Sequence, residues 1–383
     1  MRTAAQWIFA AILGISPLAP GSEAAQDDTP QRAPAIATPA GTADWQRCIV
    51  GASMAPEARV ESCRAAFASA SSRDRAALLS YIQAMAHFEK RDYARAIADF
   101  DAAIRVKPDF VEAIHDRGSA YIKLGNTERA LADYEESIRL RPTALALVNR
   151  GAILGMRGDT GKAFADYEAA IRLDPNQPEA YNNRGGIYYS RGELDQAFAD
   201  FDRAAKLNAN YAFAFYNRGK VHRARRAYDE AIADYSRAIQ IDPAYVHAIS
   251  DRGIAYSGKG DTDRAIADFD QATRIDPGHA TAWAHRARAY DAKGESDRAI
   301  ADFTEAIRLD LNDFESFNDR GSIYNKKRAY DRAIADFDHA LRLKPDYVMA
   351  LVNRGNAYDD KGDRTRAIAD YDRAIQLNPK EPK

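Results

Sequence analysis

The feature of this sequence that most constrains its fold is a repeat of fixed length. An Asn/Asp-Arg-Gly triplet recurs along the chain, and its arginines are evenly spaced from Arg150 to Arg354, whereas the first step, from Arg117 to Arg150, is shorter by a single position. The triplets are Asp116-Arg117-Gly118, Asn149-Arg150-Gly151, Asn183-Arg184-Gly185, Asn217-Arg218-Gly219, Asp251-Arg252-Gly253, Asp319-Arg320-Gly321 and Asn353-Arg354-Gly355, with His285-Arg286-Ala287 as the variant. A constant period of roughly 34 residues indicates one supersecondary unit stacked many times rather than several globular domains.

Small and aromatic residues recur at fixed positions after each triplet. In one repeat they are Ala130, then Asp133-Tyr134, then Ser137, and the other repeats have Ala at this last position. Small residues at helical spacing let two helices approach closely, and the aromatic ring fills the space between them. Prolines follow the second helix in most repeats: Pro108, Pro142, Pro175, Pro243, Pro277, Pro345 and Pro379. The pattern therefore predicts two antiparallel helices per repeat.

This combination of period, small residues, aromatics and proline resembles the tetratricopeptide repeat. The resemblance covers nine tandem units in residues 77–379. It implies an all-α fold, a right-handed superhelical solenoid of antiparallel helix pairs, in which the first helix of each pair lines a concave groove. Binding of protein partners, without catalysis, is the function that the resemblance implies.

The N-terminal region has the pattern of an export signal. Arg2 precedes an apolar stretch at residues 7–18, and Ser22-Glu23-Ala24 is a small-x-small cleavage site. We expect a signal peptide at 1–24 and, from its Ala, Pro, Gln and Thr content, a disordered tether at 25–43. The alternative is an uncleaved membrane anchor, but the apolar stretch is shorter than the ~20 residues that a spanning helix needs. We therefore expect a periplasmic or secreted protein without membrane insertion after cleavage.

Two cysteines, Cys48 and Cys63, are the only ones in the chain. An exported protein meets an oxidising compartment, where such a pair can stay bonded. We interpret residues 44–72 as a degenerate helical hairpin with a Cys48–Cys63 disulfide, worth about 3 kcal/mol in the chain-entropy model. A redox or a metal site is the alternative, although redox pairs are usually Cys-x-x-Cys and a metal needs more ligands.

An arginine stands before the Gly in eight repeats, where the family has a leucine, and a buried cation needs a partner. An Asp in the second helix of every repeat is the obvious one. Because Gln83 replaces the arginine in the first repeat, we predict pairs across the junctions between repeats, from Asp99 with Arg117 to Asp336 with Arg354. This structural ion-pair ladder contains Arg117, Arg150, Arg184, Arg218, Arg252, Arg286, Arg320, Arg354, Asp99, Asp133, Asp166, Asp200, Asp234, Asp268, Asp302 and Asp336.

The predicted groove has a row of amides. Asn149, Asn183 and Asn217 occupy the same position in three successive repeats. An amide donates and accepts hydrogen bonds, so a row of them could hold an extended peptide backbone, or serve only in helix packing. The predicted peptide-binding groove contains Asn149, Asn183, Asn217, Asn182, Tyr189, Tyr216, Lys220 and Arg223.

The composition gives no sign of catalysis or of nucleic acid. Lys and Arg number 54 against 56 Asp and Glu, a net charge of −2, and the seven His are scattered. With no phosphate loop or catalytic motif, we expect no enzyme activity, cofactor, metal or nucleic acid. The function we expect is that of a scaffold or adaptor in the bacterial envelope.

Two further functions stay open. The chain could be a non-catalytic subunit of a glycosyltransferase or polysaccharide-export complex, or a periplasmic holdase chaperone.

The last repeat keeps apolar residues where repeat arrays usually have a polar cap. That end is either tolerated or covered in an end-to-end homodimer.

Overall fold

The computed structural model describes residues 71–378, and every regular element in that range is an α-helix. The helices are α1 (Ser72–Glu89), α2 (Tyr93–Val106), α3 (Val111–Lys123), α4 (Thr127–Leu140), α5 (Ala144–Met156), α6 (Thr160–Leu173), α7 (Pro178–Ser190), α8 (Leu194–Leu207), α9 (Ala212–Ala224), α10 (Tyr228–Ile241), α11 (Val246–Gly258), α12 (Thr262–Ile275), α13 (Ala280–Ala292), α14 (Ser296–Leu309), α15 (Phe314–Lys326), α16 (Tyr330–Leu343), α17 (Val348–Asp360) and α18 (Arg364–Leu377). Each odd-numbered helix, here called an A helix, packs against the even-numbered B helix that follows it. The predicted all-α array of helix pairs is confirmed.

The described part of the chain divides into two compact units, the first ending at Asn217 and the second beginning at Arg218, and the boundary falls within α9. In each unit, a B helix also packs against the A helix of the next pair. The predicted signal peptide, the tether and the Cys48–Cys63 hairpin lie outside the described residues, apart from the last two residues assigned to that hairpin.

Short turns and local caps define the helix ends. Asp92, Asn126, Asp261 and Asp363 each cap a B helix by accepting a hydrogen bond from the backbone N–H three residues later. The turn between an A and a B helix contains one residue with positive φ, such as Gly125 at 74°. Three such turns have an arginine there instead: Arg91, Arg226 and Arg328. The turns are therefore alike in geometry although their sequences differ.

Each pair closes where the recurrent glycine of its A helix meets the aromatic ring of its B helix. A Cβ built on Gly253 would lie 2.7 Å from Cε1 of Phe269, closer than real carbon atoms approach. Phe269, Ala265 and Ala272 are all fully buried, in one cluster with Ala282 of the next pair. Glycine therefore allows the close helix approach on which the pair depends.

No helix among residues 71–378 is both long enough and apolar enough to cross a membrane.

Candidate functional site

The arginines and aspartates of the ladder pair within one repeat, not across a junction. Arg117 donates from Nε and Nη2 to the two carboxylate oxygens of Asp133, at 2.9 and 2.6 Å. The same two-point contact, at 2.6–2.9 Å, joins Arg150 to Asp166, Arg184 to Asp200, Arg218 to Asp234, Arg252 to Asp268, Arg286 to Asp302, Arg320 to Asp336 and Arg354 to Asp370. The predicted bidentate geometry is present, but the predicted partner assignment is wrong by one repeat.

The physical reason lies in the A helix itself. A Cβ on Gly118 would contact both the Tyr134 ring and Cβ of Asp133, so the arginine beside this glycine faces the aspartate of its own B helix. Asp99, which we assigned to Arg117, instead contacts Nδ1 of His87 at 2.7 Å. His87 lies one helical turn after Gln83 and therefore reaches the carboxylate that a first-repeat arginine would have taken.

The third guanidinium nitrogen crosses the junction to a different residue. Nη1 of Arg117 donates to Asp101 at 2.5 Å, and Arg286 and Arg354 make the same contact with Asp270 and Asp338. In Arg252 and Arg320 the acceptor is a hydroxyl, Ser236 at 3.1 Å and Thr304 at 3.0 Å. These guanidinium groups thus hold their own pair together and also link it to the preceding pair.

The amides of the predicted groove make hydrogen bonds to neighbouring side chains of the array. Asn182, Asn183 and Asn217 are at most 3 % exposed. Asn217 donates to the Asn182 side chain at 3.0 Å, and Asn182 donates to Asn183 at 3.2 Å. The half-buried Asn149 contacts Nε2 of His115 at 3.1 Å. The buried amides hydrogen-bond to one another, as the packing alternative expects, and their role in holding a peptide stays a prediction.

The other four predicted groove residues are divided between the two units. In the first unit Tyr189 is half-buried and Tyr216 is 6 % exposed. In the second unit, Arg223 donates to the Tyr235 hydroxyl at 3.3 Å and lies 3.8 Å from Asp251. Burial lowers the pKa of Lys220, and the nearby Asp251 opposes that shift. Within the second unit, Lys220 and Arg223 are both half-buried.

The A helices of the second unit present a different open surface. The second residue of four successive A helices is exposed there: His247 on α11, Thr281 on α13, Glu315 on α15 and Met349 on α17. We call these four residues the second-unit stripe. In the A helices of the first unit from α3 onward, the matching residues Glu112, Leu145, Glu179 and Phe213 are all half-buried.

A charged contact lies beside the stripe. Arg288 on α13 donates from Nε to Asp319 at 2.8 Å and from Nη2 to Glu315 at 3.2 Å, and so connects two A helices. Burial alone would lower the pKa of Arg288, and the charge and hydrogen bond of Asp319 raise it instead. Neither Arg288 nor Asp319 was among the predicted site residues. The signal was available, because Arg288 replaces the small or apolar residue that follows Gly or Ala in most other repeats.

Three histidines lie on or near the same surface. The rings of His247 and His279 meet edge to face with centroids 5.1 Å apart. The His285 ring stacks on Phe269 at 5.8 Å. Burial, together with the cations Arg288 and Arg223, lowers the pKa of His285 to about 4. Burial and the neighbouring His247 lower the pKa of His279 to about 4. The His279 and His285 rings are therefore neutral at pH 7, and each packs against a neighbouring ring.

Within residues 71–378, no group of three or more His, Cys, Asp or Glu side chains is arranged to hold a metal ion.

The fold defines a class, an array of helical hairpins, and in the second unit the A helices carry a varied exposed stripe. Tetratricopeptide repeat models match residues 71–149, 212–245, 250–314, 314–347 and 348–381, and a TPR repeat model matches 151–189 and 185–224. The chain belongs to the tetratricopeptide repeat family. Its repeats make it a protein-interaction scaffold.

Several solved structures are similar to this chain. The crystal structure of MamA is 25 % identical over 42 % of this chain and 95 % of MamA, with a TM-score of 0.40. YrrB, described as a TPR protein with an unusual peptide-binding site, is 22 % identical over 48 % of this chain and 95 % of its own, with a TM-score of 0.41.

The APC/C hetero-tetramer Cut9-Hcn1 is 17 % identical, covers 83 % of this chain and 64 % of its own, and has a TM-score of 0.58. This last similarity shows the fold. No curated protein matches the sequence.

Proposed function

We propose that this protein is a non-catalytic scaffold of the bacterial envelope that binds an extended segment of a partner protein along the second-unit stripe. One observation carries the proposal. The residues that build the array repeat almost without change, whereas the exposed residue at the stripe position is His247, Thr281, Glu315 and Met349 in turn. Side chains that packing does not require are free to vary, and four different ones on a regular frame can distinguish one partner segment from another.

The geometry of stacked helices sets the length of such a segment. Packed helices lie about 8–10 Å apart, and an extended chain advances ~3.3 Å per residue. One stripe residue therefore faces roughly every third residue of the partner, and the four span about ten residues. Glu315, with 56 % of its side chain exposed, offers a carboxylate to a donor or cation, and Met349, 58 % exposed, offers a flexible apolar contact.

The test is to block the stripe by substitution and follow a purified complex. We would combine Thr281→Arg with Met349→Arg, and compare this variant with Leu311→Arg combined with Asn312→Arg, which adds the same charge in an exposed turn of the same unit. A stoichiometric partner from the envelope fraction should bind the stripe variant at least about tenfold more weakly and bind the control normally, since each lost or clashing contact costs on the order of 1–2 kcal/mol. Equal binding by both variants would refute the stripe as the binding surface.

The identity of what binds separates the remaining functions. A single enzyme of glycan synthesis or export in the complex would favour the accessory-subunit function. Many unrelated unfolded clients, with suppressed aggregation of a denatured test protein, would favour the holdase. The envelope location itself rests on the export pattern of residues 1–24, and N-terminal sequencing of the protein from fractionated cells tests it.

A further inference from the structure

The turn between α15 and α16 departs at two adjacent positions from the turns on either side of it in the array. Arg328 has a φ of 59°, a left-handed conformation that is unfavourable for a residue with a Cβ and that Gly294 and Gly362 adopt in those turns. Ala329, the next residue, begins α16 without a side-chain cap, whereas Asp363 caps α18. The turn at Arg328 therefore lacks both a glycine and a capping acid, each of which would stabilise it.

The missing acid is also a missing counter-ion. The arginines at the third position of α12, α14 and α18 each pair with the acidic residue three positions earlier: Arg264 with Asp261, Arg298 with Glu295 and Arg366 with Asp363. In α16 the third residue is Arg332, and the residue three positions earlier is Ala329. The guanidinium carbon of Arg332 lies 5.7 Å from the centre of the Tyr324 ring.

The carboxylates close to this turn pair with lysines. Three such pairs link neighbouring helix pairs: Lys326 with Asp291 at 2.8 Å, Lys327 with Asp297 at 2.6 Å and Lys361 with Asp331 at 2.5 Å. Arg328 and Arg332 are both exposed, and neither forms an ion pair with any residue in the range 71–378. One turn therefore presents two guanidinium groups whose charge no neighbouring carboxylate balances.

The other turns with a left-handed arginine do not have this arrangement. Arg91 is followed by Asp92, which pairs with Arg95 at 2.6 Å. After Arg226, the third position of the following helix is Glu230, an acid in place of a second cation. The two unbalanced guanidinium groups are thus a property of the turn between α15 and α16, and a left-handed arginine alone does not produce them.

We propose that Arg328 and Arg332 form a docking point for an acidic segment of a partner protein. A guanidinium group is planar and binds a carboxylate through two parallel N–H···O hydrogen bonds, so two of them suit a pair of Glu or Asp side chains. This role explains why an arginine occupies a position at which glycine would be more stable. The docking point is separate from the second-unit stripe, because α15 places Lys326 ~17 Å along its axis from Glu315.

The charges around the turn favour an acidic protein segment over a nucleic acid or an anionic membrane. Those two present dense rows of phosphates, which proteins bind through extended sets of lysines and arginines. Here the Asp297 and Asp331 side chains are both 86 % exposed beside the turn, and they repel a dense polyanion. A peptide with a few carboxylates can bind the two guanidinium groups without covering these aspartates.

Fluorescence anisotropy with the purified full-length protein at low salt tests the docking point. The probe is a fluorescein-labelled Gly-Ser peptide with a central run of glutamates, and the reference peptide has glutamines at the same positions. Combining Arg328→Gly with Arg332→Gln should weaken binding of the glutamate peptide at least about fivefold, since two exposed ion pairs are lost.

The matched control combines Arg264→Gln with Arg298→Gln. It removes the same charge from two arginines that already have carboxylate partners, and it should bind the peptide within about twofold of the wild type. Thermal melting followed by circular dichroism verifies that both variants are folded. If the Arg328 and Arg332 variant does not fold, Arg332→Gln alone serves, with Arg298→Gln alone as its control.

Four results would overturn the proposal. The wild type could fail to bind the glutamate peptide, or it could bind the glutamine peptide equally well. The two double variants could weaken binding to the same extent, which would show a general charge effect. Lastly, single-stranded DNA or phosphatidylglycerol vesicles could bind through these arginines more tightly than the peptide, which would assign the turn to a phosphate-rich partner.

Discussion

The ladder pair at Arg286 allows the sharpest test of how this array is held together. The Arg286 side chain is 13 % exposed and that of Asp302 is 9 % exposed. Two hydrogen bonds of 2.7 and 2.9 Å join them, a third of 2.5 Å reaches Asp270, and the guanidinium lies 4.6 Å from the Trp283 ring. Burial by itself would lower the pKa of Arg286, and the hydrogen bonds with Asp302 and Asp270 raise it above its ordinary value.

Arg286→Leu leaves the Asp302 carboxylate buried without a counter-ion. Breaking a fully buried pair costs about 3–5 kcal/mol, and the small remaining exposure here places the expected cost near ~3 kcal/mol. Removing both charges with Arg286→Leu and Asp302→Leu should recover much of that loss, because the cost comes mainly from the unpaired charge. Asp270→Asn should cost less than Asp302→Asn, since the Asp270 side chain is 39 % exposed.

The assay is denaturant unfolding followed by helical circular dichroism, with hydrogen exchange to localise the effect to α13 and α14. Exchange is needed because a repeat array does not have to unfold in one step. Arg308→Leu is the matched control, since Arg308 pairs with Glu305 on the surface, with side chains 64 % and 41 % exposed. Such exposed pairs contribute about 0–1 kcal/mol. If both substitutions lower stability equally, the ladder does not stabilise the pairs as we argue.

Single positions carry three further predictions. Arg328 has a φ of 59°, which glycine tolerates better, so Arg328→Gly should raise unfolding stability by about 0.5–1 kcal/mol, and a loss of stability would contradict the turn geometry. Gly253→Ala should destabilise by roughly 1–3 kcal/mol because its Cβ would strike the Phe269 ring, whereas Gly161→Ala, with open space around it in α6, should stabilise by up to ~1 kcal/mol; melting curves of the two variants should therefore shift in opposite directions. The pKa of His285 falls from 6.5 to about 4 on folding, so the unfolded chain binds more protons between these values, and stability should fall as the pH is lowered from 6.5 to 4. His285→Gln should weaken that dependence in denaturation measured at pH 7 and pH 5, and an unchanged dependence would exclude this histidine as a source.

The fold could be predicted from the sequence because the same residue pattern recurs in every repeat. Glycine facing an aromatic ring, and proline after the B helix, have one simple structural solution when they recur at a constant period. The helix starts also follow local rules, as at the capping residues Asp92 and Asp261. At the first helix the local signal was weaker, and α1 begins at Ser72, ahead of the predicted first repeat, which starts at position 77.

The repeat period alone could not decide which aspartate pairs with which arginine, because a strict repeat fits two assignments equally well. Asp99 precedes Arg117 by nearly the same distance along the chain as Asp133 follows it, and both spacings recur. The aromatic residue next to the aspartate was the deciding signal. Tyr134 packs on Gly118 of its own pair, so Asp133 beside it faces Arg117 of the same pair.

The candidate site was predicted least well because exposure depends on how closely neighbouring A helices approach. The Asn183 and Asn217 amides have the right chemistry for a peptide clamp, and only the structure shows that both are 3 % exposed. The four residues of the second-unit stripe were not singled out for the opposite reason. They share no chemistry, so their residue types alone do not distinguish them from ordinary surface residues.

The cross-junction arm of the ladder has a mechanical consequence for the second unit. Its acceptors alternate along the chain: Ser236, Asp270, Thr304 and Asp338. A charged acceptor attracts the guanidinium more strongly than a hydroxyl does, and that extra attraction weakens as salt screens it. Successive junctions between helix pairs in this unit should therefore alternate between more flexible and stiffer. When the array is stretched or binds a partner, we expect it to bend mainly at the junctions whose acceptor is Ser236 or Thr304. Added salt should make the stiffness of the four junctions more nearly equal.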